Sequence, residues 1–482
     1  MKYNEKYEVV IGLEVHAQLM TRSKLFCADD TKFGSAPNTQ VSSISLAHPG
    51  TLPKLNKKVV ELAVKLGVAL NCEIEQNNFF ARKNYFYPDL PKGYQISQHT
   101  APICKGGFVS IASADGKKKI QLNRIHIEED AGKSIHDLDE KYSCIDLNRA
   151  GVPLVEIVTE PVIHSADDAF LFLTELRKIL RWLDVCDGNM EEGSMRCDAN
   201  ISIRLKGDHQ LGKRVEVKNL NSIRNVKRAI EIEFERLIDV TQKNEIIIQE
   251  TRSYDADKNI TFSLRSKEEA EDYRYFPEPD LPAFFISEEY IDQIKSALPE
   301  LPELLKDQFI SSYGLSEYDA NNICNDKEDV SFFNSLIQYT RHYKAVANWM
   351  LGPLKFYCNE HHISFSAFPL SPPLIAELIE LTEAGKLSFA NATGKVLQAL
   401  ILNPQKTAIE TALSLNLIQE NDEAAVMAWI EETINAMPEK VKEYKSGKKG
   451  LIGLFSGEVK KRSKGKADME SVTRLLNEKL NQ

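Results

Sequence analysis

Residues 193–204 alternate between polar and nonpolar side chains, and this pattern constrains the fold strongly. In a β-strand, successive side chains point to opposite faces of the sheet. One face would carry Cys197, Ala199, Ile201 and Ile203, and the other Arg196, Asp198, Asn200, Ser202 and Arg204. Such alternation is typical of an antiparallel sheet with one buried face. The polar face either contacts water, as most such strands do, or forms the floor of a site for Mg²⁺ and phosphates.

Residues 7–19 show the same alternation, with Glu14 and His16 on one face. A histidine on a strand is usually a hydrogen-bonded surface group. A glutamate and a histidine two residues apart can instead offer lone pairs to one metal ion. The sequence therefore predicts a strand here and leaves both interpretations of its polar face open.

Residues 121–130 are also predicted to form a strand. Its polar face would carry Arg124, His126 and Glu128. Glu129 falls on the opposite face, with the isoleucines, unless the strand bends at its end. Glu128, Glu129 and Asp130 form a run of acids that either repel one another in a solvated turn or share a cation.

The composition indicates an ordinary globular chain. It has 482 residues, so two or three domains are expected. The net charge of −10 argues against a protein that coats nucleic acid with a generally basic surface, but not against a local basic patch. No apolar run is long enough to span a bilayer, and the first residues show no signal peptide. The eight cysteines include no Cys-x-x-Cys pair, which is typical of reduced thiols. We expect a cytoplasmic protein with no membrane partner.

The predicted elements define an α+β chain. A large β-rich cradle, with an antiparallel or mixed sheet and flanking helices, covers residues 1–295. A helical domain follows at 296–404 and a small helical tail domain at 405–482. Residues 440–466 hold ten Lys or Arg against two acids, Glu443 and Glu458. Such a run is either a solvated surface or a surface that binds a polyanion, with phosphates as the target.

Two segments of the chain have the composition of loops. Residues 82–98 mix four aromatic rings with cations, prolines and a glycine, which is typical of a packed loop or of one that presents rings and charges to a nucleotide or RNA end. Residues 207–214 resemble a P-loop, but Arg214 stands where Ser or Thr should bind Mg²⁺ and a strand follows. We interpret this second segment as a hairpin loop.

Several long strings in the chain resemble one family. They are 11–16 (IGLEVH), 84–94 (NYFYPDLPKGY), 126–133 (HIEEDAGK), 148–154 (NRAGVPL), 216–219 (EVKN) and 272–280 (DYRYFPEPD). In this order they resemble the B-subunit family of the aspartyl/glutamyl-tRNA(Asn/Gln) amidotransferases. The match runs nearly end to end, and the C-terminal part resembles the tail domain that this family shares with YqeY-like proteins.

The resemblance implies a tRNA-dependent ligase. Misacylated Glu-tRNA(Gln) or Asp-tRNA(Asn) would be phosphorylated on its side-chain carboxylate with ATP and Mg²⁺. Ammonia from a partner glutaminase would then displace the phosphate and give the amide. The implied partners are the amidase (A) subunit and the small (C) subunit, in a heterotrimer, together with tRNA(Gln) or tRNA(Asn).

The resemblance also assigns roles to residues. Metal binding falls to Glu14, His16, Glu128, Glu129 and Asp198, with Asn200, Glu156 and Glu192 as weaker candidates. The catalytic set is Glu14, His16, Glu129, Asp198, Arg196 and Lys218, and the cofactor-binding cations are Arg82, Lys83 and Lys92. Contact with tRNA falls to Lys448, Lys449, Lys460, Lys461, Arg462 and Lys464.

The chain departs from the family at a zinc site. Many members carry a Cys-x-Cys pair and a later Cys-x-x-Cys pair near the N-terminus, which hold a structural zinc. Here the first pair is reduced to Cys27 followed by Ala28 and Asp29, and the second is missing around residues 42–46. We therefore expect ATP and Mg²⁺ as cofactors and no zinc.

Two other functions remain open from the sequence. The chain could be a non-catalytic tRNA-binding or assembly protein whose cradle has lost activity, although Glu14, His16, Glu128, Glu129 and Asp198 are all present. It could also be a free-standing metal-dependent hydrolase, in which sheet acids activate water. The chain shows no recognisable hydrolytic motif, which speaks against the hydrolase.

Overall fold

The fold is known from a computed structural model that describes residues 6–136, 138–266, 274–418, 423–463, 467 and 469–481. The chain divides into two compact units, Met1–Leu301 and Pro302–Gln482. The described strands lie in the first unit, and the second unit is helical. The predicted α+β class is confirmed. The finer division at residues 295 and 404 stays a prediction.

The strands are β1 (Tyr7–Gln18), β2 (Glu73–Ile74), β3 (Asn77–Asn78), β4 (Ala81–Asn84), β5 (Tyr94–Ser97), β6 (Cys104–Lys105), β7 (Phe108–Ser113), β8 (Gly116–Glu129), β9 (Lys133–Ile135), β10 (Cys144–Asp146), β11 (Pro153–Thr159), β12 (Met195–Leu205), β13 (Val215–Leu220), β14 (Glu250–Asp255), β15 (Ile260–Ser266), β16 (Arg274–Pro277) and β17 (Phe284–Phe285).

The helices of the first unit are α1 (Lys57–Ala69), α2 (Ala166–Trp182), α3 (Ile223–Gln242) and α4 (Glu288–Ser296). Those of the second unit are α5 (Pro302–Tyr313), α6 (Glu317–Ile323), α7 (Lys327–Leu336), α8 (Tyr343–Trp349), α9 (Lys355–His361), α10 (Pro372–Glu383), α11 (Phe389–Asn391), α12 (Leu397–Leu402), α13 (Ala408–Ser414), α14 (Glu423–Ala436), α15 (Pro438–Lys445), α16 (Ile452–Arg462) and α17 (Met469–Asn481). Short π-helical turns lie at Met350–Leu354 and Ala392–Val396, and 3₁₀ turns at Phe365–Ala367 and Lys449–Leu451.

The large sheet runs in the order β15-β14-β13-β12-β1-β11-β8-β5-β4-β16. Neighbours in this order are antiparallel, except that β13 and β14 run parallel. Strands β6 and β7 also pair with β8. The first strand of the chain therefore lies near the centre of the sheet, between β11 and β12.

The apolar face of the sheet packs against helices. In β1 this face carries Val9, Ile11, Leu13, Val15 and Ala17, all buried in the main core. Helices α1, α2 and α3 supply the other side of that core. Burial on this face leaves the opposite face of β1 to the polar side chains, as its alternation predicts.

Each of these three helices begins at a side-chain cap. Asn56, Ser165 and Ser222 accept hydrogen bonds from backbone N–H groups in the first turns of α1, α2 and α3. Such a cap contributes about 1 kcal/mol to a helix. The caps fix where the helices start and so where their apolar stripes meet the sheet.

The segment that resembles a P-loop joins two antiparallel strands. Strands β12 and β13 pair with Ile201 opposite Val215, and residues 206–214 connect them. The predicted hairpin loop is confirmed. The stretch that follows α3 also holds β14, β15 and β16, which were not predicted from the sequence.

The C-terminal part of the second unit has its own apolar core. Helices α14, α16 and α17 contribute Val426, Ile430, Phe455, Val459 and Leu476 to it, all buried. Among the described residues, no helix is long and apolar enough to cross a bilayer.

We predict that Leu13→Ala destabilises the chain by about 2–5 kcal/mol, because Leu13 is 1% exposed and its truncation leaves a cavity beneath β1. The control is Leu52→Ala, since Leu52 is 63% exposed and its loss should change the free energy of unfolding by less than about 0.5 kcal/mol. Urea unfolding of the full chain measures both. Equal effects would show that β1 does not carry the core.

Candidate active site

The polar face of β1 is the centre of the candidate site. Its register with β12 places Glu14 opposite Asp198 and His16 opposite Arg196. Its register with β11 places His16 opposite Glu156. Directly opposite residues in a sheet have Cβ atoms about 4.5–5.5 Å apart. The pairing of three strands therefore gathers these side chains on one surface.

Two groups of potential metal ligands share His16. Within the described residues, ligand atoms lie within 4.8 Å of one another in the set Glu14, His16 and Asp198 and in the set His16, Glu128 and Glu156. The Nε2 atom of His16 is 3.3 Å from a Glu156 oxygen, 3.5 Å from a Glu128 oxygen and 3.8 Å from a Glu14 oxygen. Four of the five predicted metal ligands thus come together.

His126 joins the second of these groups. Its Nε2 atom lies 3.5 Å from Glu128 Oε2 and 3.5 Å from Glu156 Oε2. Its buried Nδ1 has no hydrogen-bond partner among the residues that the structure describes. The sequence placed His126 on the polar face without giving it a role, and ranked Glu156 only as a weaker candidate. Their importance depends on β8 and β11 being neighbours, which alternation within one strand cannot show.

The carboxylates give the cluster a strongly negative electrostatic potential. Burial, together with the charges of Glu156 and Asp198, raises the pKa of Glu14 to about 7. Burial alone would lower the pKa of His16, but the hydrogen bond to Glu156 and the charges of Glu128 and Glu14 raise it to about 9. A field that retains a proton on this imidazole also attracts a divalent cation.

The residues present fit a divalent metal. Carboxylate oxygens are the ligands that Mg²⁺ prefers, and a mixture of carboxylate and imidazole also suits Mn²⁺. Burial alone would raise the pKa of Glu156, but His126, the hydrogen bond from His16 and Lys83 lower it to about 2. This ligand is therefore ionised at neutral pH, whereas metal binding would compete with the proton on His16.

A β-bulge brings Lys218 to the cluster. Lys218 and Asn219 of β13 together oppose the single residue Asp198 of β12. Asn219 has φ of 63°, a left-handed conformation that asparagine tolerates better than most residues. Lys218 Nζ lies 2.8 Å from Asp198 Oδ2 and 3.1 Å from Glu216 Oε1. Burial would lower the pKa of Lys218, but these two carboxylates raise it, so the cation persists.

Arg196 is held at the edge of the cluster by Asp130. Its Nη2 donates to Asp130 Oδ2 at 2.7 Å, and Gln18 Nε2 donates to the same oxygen at 2.8 Å. Burial would raise the pKa of Asp130, but Arg196 and Arg149 hold it below its usual range. The sequence gave Asp130 no role, and it acts here by positioning Arg196.

Glu129, which the resemblance assigned to the metal set, belongs to neither group of three. Its carboxylate forms an ion pair with Lys92 Nζ and accepts a hydrogen bond from the Ile96 backbone N–H at 2.8 Å. Glu129 and Lys92 line a cavity of about 190 Å³ together with Phe26 and Asp130. The structure thus places Lys92 and Glu129 as a pair beside the metal ligands.

The two other predicted cofactor cations differ in their surroundings. Arg82 is bound by Glu278 at 2.7 Å and by Asp280 at 3.0 Å, and it stacks 4.2 Å from the Tyr94 ring. Lys83 is close enough to lower the pKa of Glu156. Only Lys83 of these two has its charge directed at the cluster.

The remaining weak candidates lie on different parts of the surface. Asn200 pairs with Gly12 and with Glu216, so it lies on the polar face next to the cluster. Glu192 is exposed in the turn before β12, where its backbone N–H donates to Asn189. The structure brings Asn200 to the site and leaves Glu192 away from it.

The predicted tRNA-binding cations lie in and near α16. Lys460 and Lys461 are exposed on the last turn of that helix. Lys448 forms an ion pair with Glu443 at 3.1 Å, and Arg462 forms one with Glu458 at 3.3 Å. Lys449 donates to Asn481 at 2.9 Å. Lys464 lies outside the described residues.

Comparison with known families defines the class of the chain. Residues 9–292 match the profile of the GatB/GatE catalytic domain, and residues 331–480 match that of the GatB domain. The first match contains the whole His–carboxylate cluster and its cations.

Curated relatives identify the family more narrowly. The B subunit of the aspartyl/glutamyl-tRNA(Asn/Gln) amidotransferase of Thermodesulfovibrio yellowstonii is 47% identical over 471 residues, which cover 98% of each chain. The B subunits of the same enzyme from Oleidesulfovibrio alaskensis and Persephonella marina are 46% and 45% identical, over 98% of this chain and 99% and 100% of theirs. The chain belongs to the family of aspartyl/glutamyl-tRNA(Asn/Gln) amidotransferase B subunits.

We predict that His16→Ala weakens Mn²⁺ binding at least about tenfold, because both ligand groups lose the residue they share. His209→Ala is the matched control, since His209 is exposed in the loop after β12 and should leave the affinity unchanged. Calorimetric titration of each full-length variant with Mn²⁺ measures the effect. Equal affinities in the two variants would show that the metal binds elsewhere.

Proposed function

We propose that this chain is the component of a tRNA-dependent amidotransferase that activates the side-chain carboxylate of misacylated Glu-tRNA(Gln) or Asp-tRNA(Asn). The carboxylate oxygen attacks the γ-phosphorus of ATP and ADP leaves. Ammonia then attacks the carbonyl carbon of the acyl phosphate, inorganic phosphate leaves, and the side-chain amide forms. The overall reaction is a carbon–nitrogen ligation with glutamine as the amido donor.

This chemistry demands cations at the reacting groups. A carboxylate and a triphosphate repel each other, so positive charge has to offset the approach and stabilise the transferring phosphoryl group. A bound Mg²⁺ ion would supply positive charge against the charge that develops on the phosphate oxygens. Glu14, His16 and Asp198, with Glu128 and Glu156, are the residues that would hold it.

The protein's own cations complete the arrangement. Lys218 is fixed beside Asp198, and Arg196 is fixed by Asp130, so both present charge without reorganising. Lys83 and Lys92 are the cofactor candidates whose charges lie at the cluster or in the adjoining cavity. Arg82, bound by Glu278 and Asp280, is better suited to holding β4 against β16.

One observation carries the proposal: His16 is common to two sets of potential metal ligands on the polar face of the sheet. Both sets lie within the residues that match the family's catalytic domain. We further propose that the chain works in the cytoplasm, in a heterotrimer with the amidase (A) subunit and the small (C) subunit. The amidase would supply the ammonia. The basic tail around α16 would bind the tRNA backbone.

We predict that Asp198→Asn lowers tRNA-dependent ATP turnover at least about a hundredfold, because the change removes a metal ligand and the partner of Lys218. Asp208→Asn makes the same chemical change in the exposed loop after β12 and should leave turnover unchanged. The assay follows phosphate release from ATP and Mg²⁺ by the assembled complex, with and without misacylated Glu-tRNA(Gln).

The outcomes separate the proposed function from its alternatives. Turnover that requires misacylated tRNA, with amide formed when glutamine is added, supports the kinase role. Tight tRNA binding without ATP turnover would favour a non-catalytic assembly protein. If this chain alone hydrolyses its substrate, without ATP and without the partner proteins, a metal-dependent hydrolase would be favoured.

For the tail, we predict that the double variant Lys460→Ala/Lys461→Ala weakens tRNA binding and reduces the slope of log K against log salt by about two, because two phosphate contacts are lost. The control is Lys440→Ala/Lys442→Ala, which removes the same charge from lysines paired with Glu443 and Glu439. Filter binding across a salt series measures both. If the control variant reduces the slope by the same amount, tRNA binding depends on the net charge of the tail and not on Lys460 and Lys461 in particular.

A further inference from the structure

The two stretches where the resemblance implies zinc-binding cysteines carry other side chains in this chain. Cys27 and Asp29 have the spacing of the Cys-x-Cys pair, and Ser42 and Ser45 have that of the Cys-x-x-Cys pair. The structure brings the four together. Asp29 Oδ2 accepts hydrogen bonds from the Ser42 N–H at 2.8 Å and from the Ser45 hydroxyl, and Cys27 Sγ lies 3.4 Å from Ser45 Oγ.

A buried lysine completes this group. The Lys24 side chain is 0% exposed, and its Nζ lies 4.0 Å from Asp29 Oδ2. The same ammonium donates to Ser45 Oγ and to the Leu147 carbonyl, each at 3.3 Å. A lysine is almost never fully buried unless its charge is paired and hydrogen-bonded, and these three acceptors meet that requirement.

These side chains do not fit zinc. A structural zinc site takes four ligands from thiolates, imidazoles or carboxylates, whereas two of these positions carry neutral hydroxyls. The ammonium of Lys24 would also repel a divalent cation. The charge that a metal brings to such a site is here supplied by a side chain.

The group fastens one loop to another. The Leu25 N–H donates to the Gly151 carbonyl at 2.9 Å, next to the bond from Lys24 to Leu147. Asn38 donates to Asp146 at 3.1 Å and to the Ile145 carbonyl at 2.9 Å. Residues 22–47 are thereby tied to residues 145–151, which precede β11 of the site.

We infer that a metal-free clasp of Lys24, Asp29, Ser42 and Ser45 replaces the family's structural zinc and holds residues 22–47 against residues 145–151. This inference goes beyond the proposed function, because it concerns how the loops beside the site are held and would stand if the reaction were another.

The first test is the zinc content of the full-length chain, purified without a histidine tag and dialysed against excess Mg²⁺ to clear zinc from the sheet site. Elemental analysis should give far less than one zinc per chain, and a strong chelator should leave the melting temperature unchanged. A stoichiometric zinc whose removal lowers the melting temperature would overturn the inference.

The second test removes the ammonium. Lys24→Met should speed hydrogen exchange in residues 22–47 and 145–151 at least about tenfold, because half-buried Asp29 loses its cation and the Leu147 carbonyl loses its donor. Lys32→Met is the control from the same loop, since Lys32 is exposed. Ser45→Ala, which keeps the charges, should give a smaller increase and serves if Lys24→Met does not fold. Equal exchange in all variants and the wild type would overturn the inference.

The third test rebuilds the metal site. Replacing Asp29, Ser42 and Ser45 by Cys in a Lys24→Ala background restores both cysteine pairs. We expect about one zinc per chain by elemental analysis, bound more tightly than Mg²⁺ can displace. If the rebuilt chain takes up no zinc, the four positions do not converge as inferred, and the clasp is wrong.

Discussion

Mutual repulsion among buried and half-buried carboxylates is the constraint on which the site depends. Glu14, Glu128, Glu156 and Asp198 surround His16 on a sheet face whose reverse side is packed with apolar side chains. Such acids remain together only if cations offset their charge. In the chain itself that offset comes from protonated His16 and from lysines of neighbouring strands. A phosphate ligand with its metal would bring a second, replaceable source of compensation.

The other buried acids near the cluster have cations of their own. Asp130 is bound by Arg196, and Glu129 by Lys92. Three consecutive acids at the end of β8 therefore have three different surroundings: Glu128 faces the histidines, Glu129 faces a cavity, and Asp130 holds an arginine. The end of one strand thus contributes both to the proposed metal ligands and to the cations that we propose contact the phosphates.

Much of this arrangement could be predicted because alternation is a local property of a strand. The pattern alone put Glu14, His16, Glu128 and Asp198 on polar faces. Strand order is a non-local property, and it decides that β11 lies beside β1. For that reason the importance of Glu156 as a candidate metal ligand could not be predicted from the sequence.

Other features escaped prediction for different physical reasons. The bulge in β13 shifts which residues face Asp198, and it rests on the left-handed backbone of Asn219. Strands β14 and β16 carry little alternation. Strand β15 does alternate, with Ile260, Phe262 and Leu264 on one face, but that pattern was not used in the prediction from the sequence. The resemblance pointed to Glu129 as a metal ligand, but its side-chain direction is set by the backbone N–H of Ile96 on β5, a strand distant in sequence.

The bulge in β13 also governs how the chain tolerates changes in length. Because side chains alternate with a period of two, Val217 and Leu220 both face the core only if one extra residue lies between them. Deleting Asn219 would therefore remove the bulge and leave Lys218 alone opposite Asp198, with Val217 and Leu220 still facing inward. An insertion in residues 206–214, which merely connect β12 and β13, changes no pairing. A tag or fluorescent label placed there would travel with the sheet while leaving the register of its hydrogen bonds intact.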